Sequence, residues 1–247
     1  MAEDWGYDEI NFNVGCPSSR VSSGNFGASL MNNPEQVGVC IEALKNNCKI
    51  PVTIKHRIGV DNNDSFANLN TFVRKISNSG ADRFIIHARK AFLKGLNPKK
   101  NRTVPPLRYD FVEKLKKFNP SILIEINGGF TNIEQCKDAL KTFDGVMIGR
   151  SAYKHPLRWN EIDEKFYEDL KIRKKASTVI INLLPYIENH ISSGGSSWEI
   201  CKHLINIVEN IPKAKKWRNK VTYDSIKGSL TIDKLNRYAL ELREIGQ

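Results

Sequence analysis

A cysteine stands between a glycine and a proline in the sequence NFNVGCPSSR, which occupies positions 11–20. Cys16 follows a short apolar stretch, so a strand is expected to end just before it. A thiol at such a turn either fills space as a small apolar side chain or is presented by a bent backbone. Because an ordinary thiol has a pKa of about 8.5, a presented one is protonated near neutral pH and can act as a general acid.

Four more short apolar runs are ended or followed by polar or glycine residues that suit catalysis or ligand binding. Taken singly, a glycine pair is most often a turn, a histidine is more often structural, and a lysine can simply reach water. Their recurrence after five comparable runs favours one functional face. The residues are Gly15 with Cys16, Lys55, His87 with Arg89, Asn127 with Gly128 and Gly129, and Gly149 with Arg150 and Ser151.

The last two of these positions are rich in glycine and open into predicted helices. The sequences NGGFTN, which starts at Asn127, and GRSAY, which starts at Gly149, offer backbone N–H groups at helix N-termini. Arg150 adds a positive charge beside them. Such an arrangement is typical of phosphate-binding sites, so we expect a phosphate group to bind here.

Short apolar runs alternate with helical patterns in the first part of the chain, which predicts a parallel α/β fold. The predicted strands cover residues 9–13, 52–55, 83–86, 122–126 and 145–148. The predicted helices between them cover residues 34–46, 65–79, 109–118 and 132–142. After about residue 155 only helical patterns follow, at 160–189, 196–210, 213–221 and 231–245.

Functional groups at the carboxyl ends of parallel strands are typical of the TIM (β/α)8 barrel, whose phosphate site commonly follows strands seven and eight. We therefore predict a partial TIM barrel in residues 1–156, with only strands four to eight present. An all-helical C-terminal domain is predicted in residues 157–247. A dinucleotide-binding sheet is disfavoured because no G-x-G-x-x-G motif follows the first strand.

The net charge of +11 is concentrated in two stretches without an acidic residue. Residues 88–108 contain seven basic residues, and residues 211–220 contain five. Concentrated positive charge favours a polyanionic partner, of which nucleic acid is the leading class. The alternative is a solvated basic face in a lysine-rich protein.

The composition disfavours several classes of protein. No run of about 18 apolar residues occurs, so no membrane span is expected. The N-terminus MAEDWGYDEI lacks the pattern of a signal peptide. The five cysteines are odd in number and form no C-x-x-C pair, which favours a reducing, cytoplasmic setting over a disulfide framework or a zinc site. We expect neither a metal ion nor a membrane partner.

Several segments together resemble the bacterial tRNA-dihydrouridine synthases of the DusA branch, the tRNA-dihydrouridine 20/20a synthases. The resemblance runs from about residue 3 into the C-terminal helices, where IPKAKKWR also fits, and the third segment below is highly specific. It implies an FMN-bound TIM barrel, a helical tRNA-binding domain, and reduction of uridines in the tRNA D-loop with NADPH as the reductant. The segments are INFNVGCPSSRVSSGNFGASLM, IPVTIKHRIGVD, FIIHARKAFLKGLNPKKNRTVPPL, INGG and DGVMIGRSAY.

The resemblance also implies a role for each residue that matches the family's motifs. Cys16 is the matching acid, which gives a proton to C5 of the uracil while FMN gives a hydride to C6. The implied cofactor-binding residues are Lys55, His87, Asn127, Gly128, Gly129, Gly149 and Arg150. The implied tRNA-binding residues are Asn13, Lys99, Arg102, Lys215 and Arg218, of which the last four lie in the two acid-free stretches.

Two other interpretations remain beside this one. An FMN barrel acting on a free pyrimidine does not account for the basic stretches. A non-catalytic tRNA-binding remnant, or an inactive fragment of such an enzyme, would keep the basic residues but bind no flavin. The family's flavin-contacting residues on its first and third strands have no counterpart here, so we expect the N-terminal part of the barrel to be missing. A monomer is expected for the complete enzyme, and the oligomeric state of this chain stays open.

Overall fold

The computed structural model describes residues 1–22, 24, 26–168 and 174–245. The chain divides into two compact units, Met1–Ile148 and Gly149–Gln247, and each has its own hydrophobic cluster. The division expected from the sequence, after residue 156, lies later in the chain. Its assignment of a partial barrel and a tRNA-binding domain to the two parts stays a prediction.

The first unit contains a parallel five-stranded sheet in which each strand lies beside the next one in the chain. A parallel pair of strands needs a crossover connection, and helices lie in the connections of this sheet. The parallel α/β fold is therefore confirmed, whereas closure into a barrel stays a prediction. The strands are β1 (Ile10–Asn13), β2 (Val52–Arg57), β3 (Arg83–His87), β4 (Ile124–Asn127) and β5 (Gly145–Met147).

The helices of the first unit begin at residues that suit helix starts. The side chains of Asn33, Ser65 and Asn132 each accept a hydrogen bond from a backbone N–H of the first helical turn. These caps begin three of the five helices, which are α1 (Ser19–Ser22), α2 (Pro34–Asn47), α3 (Phe66–Asn78), α4 (Tyr109–Phe118) and α5 (Ile133–Leu140).

The described residues of the second unit are mostly helical. Among the described residues, no helix has the length and apolar character needed to cross a bilayer. The helices are α6 (Arg150–Lys154), α7 (Ile162–Tyr167), α8 (Ala176–Ser192), α9 (Ser197–Leu204), α10 (Ala214–Ile226) and α11 (Ile232–Glu244).

The single helix predicted over residues 160–189 is wrong, because two separate helices occur among the described residues of this range, and residues 169–173 lie outside the described part. The helix α7 ends where Glu168 adopts a left-handed conformation with φ of 54°, and α8 begins only at Ala176. The apolar spacing continues through both segments, so periodicity alone did not reveal the break. The helix α9 ends earlier than predicted, and α10 ends later.

Side chains alternate between the two faces of the sheet, and this alternation separates core from site. On one face Ile54, Phe84, Ile86, Ile124 and Ile126 are fully buried and pack in one cluster with apolar residues of α2, α3 and α4. The intervening positions of the same strands point to the opposite face, which is mostly polar. Four of the predicted site residues lie on the polar face, namely Asn13, Lys55, His87 and Asn127.

Candidate active site at the carboxyl ends of the strands

Three polar residues lie side by side where the central strands end. Arg57 of β2 is in register with His87 of β3, and His87 is in register with Asn127 of β4. Lys55 was expected at the end of its strand, but β2 continues to Arg57, so Lys55 lies one row deeper and opposite Asn13. The strands therefore bring these residues to one edge of the sheet.

A series of hydrogen bonds links β2, β4 and β5. Lys55 Nζ donates to Asn127 Oδ1 over 3.3 Å, and Asn127 Nδ2 donates to the Met147 carbonyl over 2.7 Å. Burial and the nearby charge of Arg57 lower the pKa of Lys55 to about 8. Lys55 is therefore mostly protonated at neutral pH and offers N–H donors to a bound acceptor.

The backbone on both sides of Cys16 is held by hydrogen bonds. The Gly15 N–H donates to Asn13 Oδ1 over 3.0 Å, and the Gly15 carbonyl accepts from Arg57 Nε over 2.9 Å. The Cys16 carbonyl accepts from the Ala28 N–H over 2.8 Å. The thiol is half-buried and free of any disulfide. This fixed turn favours a presented thiol over one that only fills space.

The loop after β4 needs glycine at two consecutive positions. Gly128 and Gly129 have φ of 119° and 82°, values that residues with a Cβ rarely adopt. A Cβ at Gly128 would lie 2.8 Å from His87 Cδ2, and one at Gly129 would lie 2.9 Å from the Tyr109 hydroxyl. Tyr109 also donates a hydrogen bond to the Gly128 carbonyl. Both positions therefore require glycine, because their backbone is left-handed and the space for a side chain is already filled by His87 and Leu107 at Gly128 and by Leu107 and Tyr109 at Gly129.

Arg57 is a functional candidate that the sequence analysis did not identify. It is only 3% exposed, and its Nη1 donates to the carbonyls of Lys90 and Asn101 over 3.1 and 3.0 Å. Burial, followed by the charge of Arg102, lowers the pKa of Arg57 to about 10, so it stays charged at neutral pH. The available signal was its spacing of two from Lys55, which places both on the same face of β2.

Positive charge gathers at this edge of the sheet. Arg102 and Arg89 both act on the pKa of Arg57, so their charges lie close to it. Lys99 and Arg102 are exposed, at a short 3-10 turn, Lys100–Arg102. At the opposite end of the polar face, by contrast, Arg83 forms ion pairs with Glu9 and Glu125. An anionic ligand is therefore favoured at the carboxyl ends of the strands.

His56 lies on the opposite face of β2, which packs against the hydrophobic core. Its ring is fully buried against Phe72 and Phe84, and Nδ1 lies 2.7 Å from the Arg57 carbonyl. Burial lowers the pKa of His56 to about 4, so the ring is neutral at physiological pH. It belongs to the core and not to the site.

Four predicted site residues lie in the second unit. Gly149 is the N-cap of α6 and Arg150 its first residue. On α10, Lys215 is exposed, whereas Arg218 is half-buried and donates a 2.6 Å hydrogen bond to the Val208 carbonyl. That these residues join the ligand site of the first unit stays a prediction.

Across the described parts of the chain, no group of three or more His, Cys, Asp or Glu side chains that could hold a metal ion occurs.

Comparison with known proteins gives a family match over most of the chain. The model of the family described as dihydrouridine synthase (Dus) matches residues 1–236. A Synechocystis protein is 46% identical over 229 residues, which are 93% of this chain and 69% of that protein. A Shewanella oneidensis protein is 44% identical over 233 residues, which are 94% of this chain and 70% of that protein. Both relatives are named tRNA-dihydrouridine(20/20a) synthase.

Solved structures give a weaker match. A prophage protein of the dihydrodipicolinic acid synthase family from E. coli K12 aligns with a TM-score of 0.42 and 12% identity, over 98% of this chain and 71% of that protein. A similarity at this level carries no argument about fold or function.

Proposed function

The chain belongs to the dihydrouridine synthase family, and from this premise we propose that it reduces specific uridines of tRNA to 5,6-dihydrouridine. The names of the relatives support positions 20 and 20a of the D-loop as the targets. The single observation that carries the proposal is the fixed Gly15–Cys16 turn at the same sheet edge as the Lys55–Asn127 pair. A proton donor and a set of cofactor-binding donors are what uridine reduction requires.

FMN is the proposed cofactor, and NADPH is the proposed reductant. The residues of the first unit fit a flavin because Lys55, His87 and Asn127 offer polar groups in adjacent rows. The positive φ angles of Gly128 and Gly129 turn the backbone sharply at the carboxyl end of β4, immediately after Asn127. We assign the phosphate of the cofactor to this loop together with Gly149 and Arg150, as the glycine-rich helix starts favour. When bound, FMN supplies the hydride that adds to C6 of the uracil.

Cys16 is the proposed general acid. Saturation of the 5,6 double bond requires a proton at C5 in addition to the hydride at C6, and the thiol of Cys16 donates it. The S–H bond breaks, a C–H bond forms, and the thiolate that remains takes up a proton from water before the next turnover. The hydrogen bonds at Gly15 and at the Cys16 carbonyl hold the backbone of the turn that carries the thiol.

The substrate tRNA is proposed to be held by its phosphates while the target base leaves its stack to reach the site. Lys99 and Arg102 are exposed beside the positively charged edge of the sheet, which suits phosphate contact near the target base. Lys215 and Arg218 of α10 supply further contacts from the second unit. Asn13, at the end of β1, is the proposed contact to the target nucleotide.

The proposal is tested by incubating the chain with FMN, NADPH and an unmodified tRNA transcript, followed by nucleoside mass spectrometry. We expect a gain of two hydrogens at the uridines of positions 20 and 20a, and none in a transcript that carries cytidine at both positions. A chain that retains the tRNA but forms no dihydrouridine under these conditions would support the non-catalytic tRNA-binding alternative.

A further inference from the structure

The guanidinium of Arg57 connects two segments that are far apart in the chain. Its Nε donates to the Gly15 carbonyl over 2.9 Å, immediately before Cys16. Its Nη1 donates to the carbonyls of Lys90 and Asn101, which lie in the acid-free stretch 88–108, termed the basic loop from here on. Among the described residues, the three hydrogen bonds that the Arg57 guanidinium donates all go to main-chain carbonyls.

The basic loop is itself closed by a buried side chain at the point where Arg57 attaches. Asn101 is fully buried, and its Nδ2 donates to the carbonyls of Phe92 and Leu96 over 2.9 and 3.0 Å. The Phe92 N–H donates to Asn101 Oδ1 over 2.8 Å. The loop segment that carries Lys99 is therefore folded on Asn101, and Arg57 fastens this folded segment to the turn of Cys16.

We propose that Arg57 is a positioning residue that couples the Cys16 turn to the basic loop, so that the thiol and the phosphate-contacting cations keep a constant spacing. This inference rests on the proposed function for its purpose, although the coupling is a property of the chain alone. A planar guanidinium suits the task because separate nitrogens donate to the two segments at once. A lysine at the same position has a single side-chain nitrogen, which cannot take the place of both Nε at the Gly15 carbonyl and Nη1 at the carbonyls of the basic loop.

Buried charged hydrogen bonds of this kind contribute more than neutral ones, so their loss frees the attached segments. Removal of Arg57 is expected to loosen both segments together, because each is attached to the same side chain. Lys94, Lys99, Lys100 and Arg102 of the basic loop are exposed and would become cleavable by trypsin as the loop loosens. The half-buried thiol of Cys16 would become accessible to iodoacetamide.

The experiment compares wild type, Arg57→Gln, Arg57→Lys and the control Arg74→Gln, whose arginine is exposed on α3. Mass spectrometry follows trypsin cleavage in the basic loop and iodoacetamide alkylation of Cys16. In Arg57→Gln we expect both rates to rise by about tenfold, with the control unchanged. Cleavage after the exposed Lys117 of α4 serves as an internal reference, because global unfolding would raise that rate too. Arg57→Lys supplies the same test if Arg57→Gln does not accumulate as folded protein.

A rise in only one of the two rates, or in neither, overturns the coupling, and so does an equal rise at Lys117. These readouts need no catalysis, so they separate failure of the coupling from failure of the proposed function. In the active enzyme, loss of the coupling is expected to raise KM for tRNA and to lower kcat together. A residue that held only the basic loop would raise KM alone.

Discussion

Lys55 Nζ lies 3.3 Å from Oδ1 of Asn127, so a side chain of β2 reaches across β3 to a side chain of β4. The two residues are 72 positions apart in the sequence, and they meet only because a single strand, β3, separates β2 from β4 in the sheet. The Asn127 amide is oriented in turn by the Met147 carbonyl. The sheet therefore presents the lysine and the amide together to a ligand that binds over these two adjacent rows.

Burial of Lys55 makes the free energy of unfolding depend on pH in the alkaline range. The pKa of Lys55 is about 8 in the folded chain, whereas an unperturbed lysine has a pKa of 10.5, so the unfolded chain binds more protons between these pH values. Lys55 thus makes the folded state more stable as pH rises from 8 to 10.5. In Lys55→Met this rise is expected to be smaller than in wild type, as measured by urea unfolding across the window. Parallel pH profiles for the two proteins would contradict the burial.

Gly128→Ala is expected to weaken the proposed binding of FMN. The new Cβ would lie 2.8 Å from His87 Cδ2, at a φ of 119° that alanine rarely adopts. The strain costs about 1–3 kcal/mol of folding free energy, and displacement of His87 weakens FMN binding. Visible absorbance during FMN titration measures the affinity. Gly6→Ala is the matched control, because Gly6 has a φ of 73° but nothing within 4 Å of its Cβ position, so only strain is added. Equal FMN affinity in both variants would argue against a role of Gly128 in the proposed FMN site.

The two basic residues predicted on α10 should differ when each is removed. Lys215 is exposed, so Lys215→Ala is expected to lower the salt dependence of tRNA binding by about one unit of slope without loss of stability. Arg218 also donates to the Val208 carbonyl, so Arg218→Ala is expected to lose about 1–3 kcal/mol of folding free energy as well. Binding is measured by filter retention over a series of salt concentrations, and stability by urea unfolding.

Lys227→Ala supplies the control for these two variants, because Lys227 is an exposed lysine at the other end of α10. It removes one positive charge from the same unit outside the acid-free stretch. A salt slope that changes as much in Lys227→Ala as in Lys215→Ala would show a diffuse charge effect and would contradict a specific phosphate contact.

The strands, and the polar and glycine residues that follow them, could be predicted from the sequence, because apolar runs and glycine turns are local signals. Asn127, Gly128 and Gly129 were proposed in this way, and the structure places Asn127 in register with His87 and the Cβ position of Gly128 2.8 Å from His87 Cδ2. The depth of Lys55 could not be predicted, because the end of β2 depends on its pairing with β3 and not on its own residues.

Arg57 and Asn101 show why the rest of the site escaped prediction. Arg57 is one of many basic residues, and its spacing of two from Lys55 indicates the face of β2 on which it lies but not its burial. Its role depends on carbonyls at Gly15, Lys90 and Asn101, which approach it only after folding. Asn101 resembles an ordinary loop residue in sequence, and only its complete burial reveals that it closes the basic loop.

The most direct test of the account is the rate of dihydrouridine formation by Cys16→Ala, compared with wild type at equal bound flavin and saturating tRNA. Loss of a general acid is expected to slow the reaction by about 10²–10⁴-fold, while FMN and tRNA affinities stay unchanged because the backbone of the turn still makes its bonds. Cys40→Ala, at a half-buried cysteine of α2, is the control and should retain the wild-type rate. Turnover by Cys16→Ala at the wild-type rate would contradict the assignment of Cys16 as the proton donor.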